Sequence, residues 1–272
     1  MNHIKIKLVF IVLFLFINLF LGYLLYHSHW QETSISEEAV QHTVSALRKR
    51  NVQVDKSIIP RSNQKMREVS VKNIVEDSSS FVALLQETGW KKIDSGFQRN
   101  SEMILFSDGK FEYTGKIALE KELSGEQLSD AVLKKLKDLC IDIKGIKLKT
   151  IEQVEKGMRL EYVQTYEGYE IFGTRLTVSV KGSAIVSLYG IWLEPMDIQS
   201  KRQDTLFATE ALVQFAQEEH HSPVRITEIK SGYYISELDE NISHKVMQML
   251  PSFQITTALG TKFYYDARSP QQ

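Results

Sequence analysis

Few residues of this chain have the types and spacings that catalysis or metal binding requires. The seven histidines do not form the H-E-x-x-H pattern of zinc hydrolases, and with one cysteine the chain has no C-x-x-C pair. His220 and His221 directly follow a predicted helix, where cations are ordinarily stabilising, and a metal site would need further ligands from elsewhere. The G-x-S-x-G and Walker motifs do not occur. We therefore predict no catalytic residue, no metal site and no cofactor.

The single cysteine and the paired acidic residues have structural interpretations. Cys140 ends an apolar helical pattern and is typical of a small buried residue rather than of a reactive thiol. Glu37-Glu38 and Glu218-Glu219 lie at predicted helix ends, where carboxylates are solvated. Catalytic carboxylates can also be neighbours in space alone. A hydrolase that acts on wall material therefore stays as an alternative.

Three tyrosines stand close together in a β-rich part of the chain. Tyr162, Tyr166 and Tyr169 could form a binding surface, or they could be cross-strand pairs in a sheet. The alternating pattern around them favours the cross-strand interpretation.

The strongest signal among the elements is an uninterrupted apolar run, Leu8 to Tyr26. A bilayer core takes about 20 apolar residues of helix, so this run predicts a transmembrane anchor. Lys5 and Lys7 precede it, and basic residues next to a first span tend to stay in the cytoplasm. The prediction is a single-pass protein of the cell membrane with a cytoplasmic head, residues 1–7, and an extracellular remainder.

A cleaved signal peptide is the competing interpretation of this run. It would need a shorter apolar core and a small-residue cleavage site, whereas the run ends in aromatic and aliphatic residues. Asn18 and Gly22 are four residues apart, and so share one helix face. An amide and a small residue on one face suit contact with a partner helix, although a single tolerated Asn explains the pattern equally well.

Composition excludes several classes of function. The 33 basic and 34 acidic residues are nearly balanced, and removing Lys5 and Lys7 leaves 31 against 34 in the predicted outer part. A balanced chain has no basic excess for nucleic acid. A lone cysteine outside the membrane excludes an internal disulfide framework.

The remaining pattern combines three helices with many short strands. The helical stretches have capping residues and apolar repeats at 3–4 residues; they are Ser34–Arg50, Ser124–Cys140 and Thr205–Glu219. Phe81–Leu85 is apolar but fits either element type. Ser107-Asp108-Gly109 predicts a hairpin turn, and β patterns run through Ile151–Leu193 and from Val224 to Tyr265.

These patterns predict an α+β fold rather than a doubly wound parallel sheet, because long crossover connections are lacking. We expect the anchor, residues 8–26, to be followed by two helix-plus-antiparallel-sheet domains, residues 27–118 and 119–272. The junction lies in a charge-rich stretch near residues 115–124.

The order of these segments resembles the YycI (WalI) family of two-component regulatory proteins. The resembling stretches are the apolar run through Asn18-Leu-Phe-Leu-Gly22, the segment Arg50-Asn-Val-Gln-Val-Asp55-Lys-Ser-Ile-Ile-Pro60, Gly168-Tyr-Glu-Ile-Phe-Gly173 and Phe263-Tyr-Tyr-Asp266-Ala. The last two are similar to pieces of PepSY-type and YycH modules. None of these stretches is a catalytic motif.

The resemblance implies a non-enzymatic accessory protein. It would act outside the cell with a YycH-like partner and would regulate the WalK (YycG) sensor histidine kinase, which controls cell-wall metabolism. Membrane helices contribute to kinase contact in that family, in agreement with the seam predicted at Asn18 and Gly22. The alternative from another class is an envelope module that binds peptides or glycans, which a deep apolar pocket would favour.

Overall fold

The computed structural model describes residues 11–23, 34–75, 79–121, 123–138, 145–196, 200–218, 223–235 and 246–269. The described helices are α1 (11–23), α2 (Glu37–Arg48), α3 (Ser80–Glu87), α4 (Gly125–Asp138) and α5 (Ala208–Gln217), with a short 3-10 helix at Lys56–Ile58. Cys140, His220, His221 and the ends of the predicted anchor, 8–10 and 24–26, lie outside these residues.

The strands are short and numerous. They are β1 (Val52–Gln53), β2 (Lys65–Met66), β3 (Val69–Asn73), β4 (Lys91–Ile93), β5 (Gly96–Arg99), β6 (Glu102–Ser107), β7 (Lys110–Ala118), β8 (Ile146–Val154), β9 (Gly157–Tyr166), β10 (Tyr169–Ile171), β11 (Arg175–Lys181), β12 (Ala184–Ile191), β13 (Leu193–Pro195), β14 (Gln203–Asp204), β15 (Val224–Tyr234), β16 (Met247–Thr257) and β17 (Lys262–Asp266). The predicted α+β class is confirmed, since most neighbouring strands run antiparallel.

The chain divides into two compact units that are discontinuous in sequence. Unit 1 contains residues 1–65, 204–230 and 255–272, and unit 2 contains residues 66–203 and 231–254. The predicted domain boundary at residue 118 falls inside unit 2, at the end of β7.

Unit 1 is built on a contact between α2 and α5. The buried face of α2 consists of Val40, Val44 and Leu47. On α5, Phe215 lies edge-on to Phe263 of β17, with 5.1 Å between the ring centroids. Beneath the helices β1 pairs in parallel with the start of β15. After β1, the Asp55 side chain caps the 3-10 helix by accepting a hydrogen bond from the N–H of Ser57.

Unit 2 holds most of the sheet. The strands of this sheet follow the order β13-β3-β16-β15-β10-β9-β11-β12-β7-β6-β5-β4, with β8 paired to β9. Of β15 and β16, unit 2 contains residues 231–234 and 247–254, and unit 1 contains the rest. Helix α3 buries Phe81, Val82 and Leu85, and α4 buries Leu128, Val132 and Leu136, in the same core as the alternate residues Leu176, Val178 and Val180 of β11. The hairpin predicted at Ser107-Asp108-Gly109 joins β6 to β7, with Asp108 and Gly109 both at positive φ, as a tight two-residue turn requires.

Among the helices in the described part of the chain, none is both long enough and apolar enough to cross a membrane. The described part of the predicted anchor is α1, and its large apolar side chains are exposed.

Candidate functional site

The predicted partner-helix seam lies on α1. The side-chain amide of Asn18 donates a hydrogen bond to the carbonyl of Phe14 on the same helix, at 2.8 Å. A Cβ added at Gly22 would meet nothing within 4 Å. These observations do not test a contact with a partner helix, so the seam stays a prediction.

The structure separates the three predicted tyrosines into two places. Tyr162 is fully buried under α4, where its hydroxyl lies 3.1 Å from the Ser129 hydroxyl. Tyr166 and Tyr169 are opposite each other across the β9–β10 hairpin, which confirms the cross-strand interpretation for this pair. Each of their rings lies edge-on to Tyr233, with centroid separations of 5.7 and 6.3 Å.

Two arginines hold the turn that carries the tyrosine pair. Glu167 lies 3.2 Å from the guanidinium of Arg67 and 2.9 Å from that of Arg202. Its hydrogen bond raises the pKa of Arg202. Burial raises the pKa of Tyr166 and Tyr169, and raises that of Tyr233 to about 12, so these phenols are neutral at physiological pH. Nothing in the sequence indicated which arginines would reach Glu167.

A cleft of about 600 Å³ opens beside this turn, between α3, the end of β9 and β13. We call it the unit 2 cleft. Its lining includes Phe81 and Leu84 of α3, Tyr166 and Glu167 at the β9–β10 hairpin, and the Trp192–Pro195 segment. Phe81 and Trp192 are almost completely buried, whereas 41% of Leu84 is exposed at the rim. The cleft therefore has an apolar floor and an apolar rim.

The polar groups of the unit 2 cleft are held by neighbouring elements. The Gln164 side chain donates to the Leu193 carbonyl at 2.5 Å and accepts from the Leu193 N–H at 3.0 Å. One oxygen of Glu194 accepts from the N–H of Ser80 at the start of α3, at 3.0 Å, and lies 3.6 Å from the Lys72 ammonium. These bonds tie β13 to α3 and to β9 and so fix the shape of the cleft.

Unit 1 has a larger and more polar groove, of about 910 Å³. Arg48, Lys56 and Arg225 line it together with Asp55, so cations outnumber anions. Hydrogen bonds from the N–H and hydroxyl of Ser57 lower the pKa of Asp55. The Lys56 ammonium donates to the Gln41 side chain at 2.8 Å. Asp55 and Lys56 therefore have structural roles around the 3-10 helix.

Metal ligands do not converge in the described part of the chain: no group of three or more His, Cys, Asp or Glu side chains there could hold an ion. His42 is exposed on α2, 3.7 Å from Glu38.

Comparison with known proteins identifies a family and solved structures of distant similarity. The family model described as YycI protein matches residues 31–264. No curated protein matches the chain. Among solved structures, a similar chain is an uncharacterized protein from Eubacterium rectale ATCC 33656, with 11% sequence identity and a TM-score of 0.46 over 81% of this chain and 89% of the other.

Proposed function

Because this chain belongs to the YycI protein family, we propose that it regulates a WalK-type (YycG) sensor histidine kinase together with a YycH-like partner, as a membrane-anchored accessory protein outside the cytoplasm. The observation that carries the proposal is the family match over residues 31–264, which spans both units. The family is one of regulatory accessory proteins and not a known enzyme family. The two units, each of which combines helices with strands, are on this proposal related to YycH and PepSY-type modules.

The proposed anchor is the apolar run Leu8–Tyr26. Its length suits a bilayer core of about 30 Å at about 1.5 Å rise per residue. Lys5 and Lys7 favour a cytoplasmic N-terminus. Both units would then lie on the outer side, where this proposal places their action with the YycH-like partner.

Regulation by such a protein needs no chemistry of its own. A sensor kinase that exchanges between two states shifts toward the state that the accessory protein binds more tightly. A differential binding free energy of about 1–3 kcal/mol shifts that equilibrium about 5- to 150-fold. Contacts of the anchor and of the units can both contribute to this difference.

The test is co-purification from membranes. Tagged full-length chain would be compared with the chain Gln31–Gln272 and with a full-length chain in which Leu8–Tyr26 is replaced by a generic apolar span. We expect the kinase and a related single-pass protein to be recovered with the full-length chain, and the kinase to be lost when the span is replaced. Recovery of neither partner under conditions that preserve other membrane complexes would contradict the proposed function.

Asn18→Leu tests the seam within that experiment. We expect weaker kinase recovery, because the substitution removes the amide that could bond to a partner helix in an apolar medium. Phe16→Leu is the matched control, since residue 16 is about 200° around the helix from residue 18. Equal loss of the kinase in both variants would place the contact elsewhere on the span.

A further inference from the structure

The polar groove of unit 1, which we call the unit 1 groove, has the volume and the lining of a site for a hydrophilic ligand. Its volume of about 910 Å³ lies within the range of about 300–1,000 Å³ that is common for ligand sites. The parallel pairing of β1 with β15 places Gln53 beside Arg225, and both side chains are exposed in the groove. The side-chain amides of Asn51 and Gln53 make no hydrogen bond within the described part of the chain. They therefore offer donors and acceptors to a ligand.

The positive charge of the unit 1 groove persists after its ion pairs are counted. Lys56 lies 3.8 Å from one oxygen of Glu37, and Arg61 contacts the other oxygen of the same carboxylate. Asp55 and Arg225 both line the groove, close enough for their charges to interact. Three cations of this set therefore share two carboxylates.

Arg48 adds a charge for which the described part of the chain supplies no counterion. It lies in the last turn of α2, is exposed and lines the groove. Four cations in and beside the groove then face two carboxylates, an excess of two positive charges among the described residues. An anionic ligand is therefore favoured over a cationic or neutral one.

The arrangement of these cations suits a phosphate group. Arg48, Lys56 and Arg225 belong to three different elements, α2, the 3-10 helix and β15, so they approach the groove from separate positions. The oxygens of a tetrahedral phosphate point in several directions, whereas those of a carboxylate lie in one plane. Guanidinium groups match phosphate oxygens with paired N–H donors. The groove is much larger than one phosphate, so polar groups attached to the phosphate would also lie within it.

The proposed anchor places unit 1 within reach of the outer membrane surface. Ser34 pairs with Ser62 in unit 1, and the chain from Tyr26 to Ser34 spans at most about 28 Å when fully extended. Glu37, which Lys56 contacts, follows three residues later. Phosphodiesters of lipid head groups are therefore accessible to a protein anchored in this way.

We propose that the unit 1 groove binds a phosphodiester flanked by hydroxyl groups. Arg48, Lys56 and Arg225 contact the phosphate. The amides of Asn51 and Gln53 bond to the hydroxyl groups. A glycerol phosphate head group of a lipid and a polyol phosphate polymer share this chemistry. The inference rests on the proposed function only for the position of unit 1 outside the membrane.

The first test is calorimetric titration of the full-length chain in nanodiscs of zwitterionic lipid, with empty nanodiscs as the blank. The probes are glycerophosphoglycerol, a phosphodiester with a glycerol on each side, and succinate and glycerol, which lack the phosphate. We expect saturable binding of the diester that weakens as the ionic strength rises, and roughly tenfold weaker binding of the other two. No saturable binding of the diester, or equal binding of succinate, would overturn the proposal.

Two extended probes identify the source of the phosphodiester. Dihexanoyl phosphatidylglycerol adds acyl chains to the same head group, and a tetramer of glycerol phosphate adds repeating units. Tighter binding of the acylated probe than of glycerophosphoglycerol would assign the groove to a lipid, whereas tighter binding of the tetramer would assign it to a polymer. Equal binding of all three would support recognition of the shared diester alone.

Two variants place the binding in the groove. Arg48→Gln and Arg225→Gln each remove one positive charge and should weaken binding of the diester about tenfold. The matched controls are Lys49→Gln and Lys65→Gln, at exposed residues of unit 1 that do not line the groove. Thermal unfolding by circular dichroism verifies that each variant is folded, and if one groove variant is not, the other decides. Equal loss in the groove variants and the controls would overturn the proposal.

Kinase co-purification separates this inference from the proposed function. If the full-length chain recovers the kinase but binds no diester, the inference fails and the proposed function stands. If the groove binds the diester but no kinase is recovered, the proposed function fails and the groove remains a phosphodiester site.

Discussion

At the scale of single residues, the buried hydroxyl of Tyr162 makes the free energy of unfolding depend on pH in the alkaline range. Burial raises the pKa of Tyr162 to about 12, whereas a tyrosine in an unfolded chain titrates near pH 10. The folded chain therefore binds this proton more tightly. The resulting stability is fully present below about pH 10 and is lost as the pH rises toward 12. Each pH unit in that window costs about 1.4 kcal/mol for one such group.

Tyr162→Phe tests this linkage by urea unfolding at a series of pH values. We expect a loss of about 1 kcal/mol at neutral pH, because the hydrogen bond with Ser129 is removed. Above pH 10 the variant should lose stability less steeply than the parent chain, since one buried titrating phenol is gone. Tyr189→Phe, at a tyrosine that is 46% exposed, is the control. An unchanged slope in Tyr162→Phe would contradict the assignment.

The contacts that form the unit 2 cleft show how far single residues could be interpreted from sequence. Tyr166 and Tyr169 are separated by a two-residue turn, so their cross-strand pairing follows from local pattern. Gln164 and Leu193 are 29 residues apart, and Arg202 is 35 residues from Glu167. A single sequence contains no local signal for such pairs, because they depend on the order of strands in the sheet.

At the scale of elements, the start of α2 depends on one capping side chain. The Ser36 hydroxyl accepts a hydrogen bond from the N–H of Ala39, at 3.2 Å. Ser36→Ala should destabilise unit 1 by about 1 kcal/mol, because this N–H loses its partner. The control is Ser45→Ala at an exposed position inside the same helix, which should be neutral or slightly stabilising, since alanine has the higher helix propensity. Thermal unfolding followed by circular dichroism measures both; equal effects would contradict the capping role.

Elements with strong local signals were predicted well, and short elements were not. Helices α2, α4 and α5 lie within their predicted ranges, because each combines a terminal signal with an apolar face. The apolar stretch at Phe81–Leu85 left the element type open. It forms α3, since the Ser79 hydroxyl accepts from the N–H of Val82 and Glu194 accepts from that of Ser80. The first contact is local, but the second comes from a strand 114 residues away, beyond the reach of pattern analysis.

At the scale of the whole molecule, each unit is composed of segments that are far apart in the sequence. The predicted boundary near residue 118 rested on local composition, which detects linkers between contiguous domains. In unit 1, however, Phe215 of α5 packs on Phe263, and β1 pairs with the start of β15. In unit 2, Tyr233, Met247 and Met249 share a core with Met66, Val69 and Val71. Composition along the chain cannot indicate that distant segments belong to the same unit, because this depends on long-range pairing.

This discontinuous organisation predicts that neither unit folds when the C-terminal segments are removed. A chain that ends at Gln203 lacks α5 and β17 of unit 1 and also lacks residues 231–254, which supply part of the core of unit 2. Buried apolar partners would then be exposed in both units, so we expect Gln31–Gln203 to show no cooperative thermal transition by calorimetry. Gln31–Gln272 is the control: it keeps α2 to α5 and all the described strands, and should unfold cooperatively. A transition in Gln31–Gln203 with the same enthalpy per residue as the control would show that the C-terminal segments are dispensable, and would contradict the discontinuous organisation of both units.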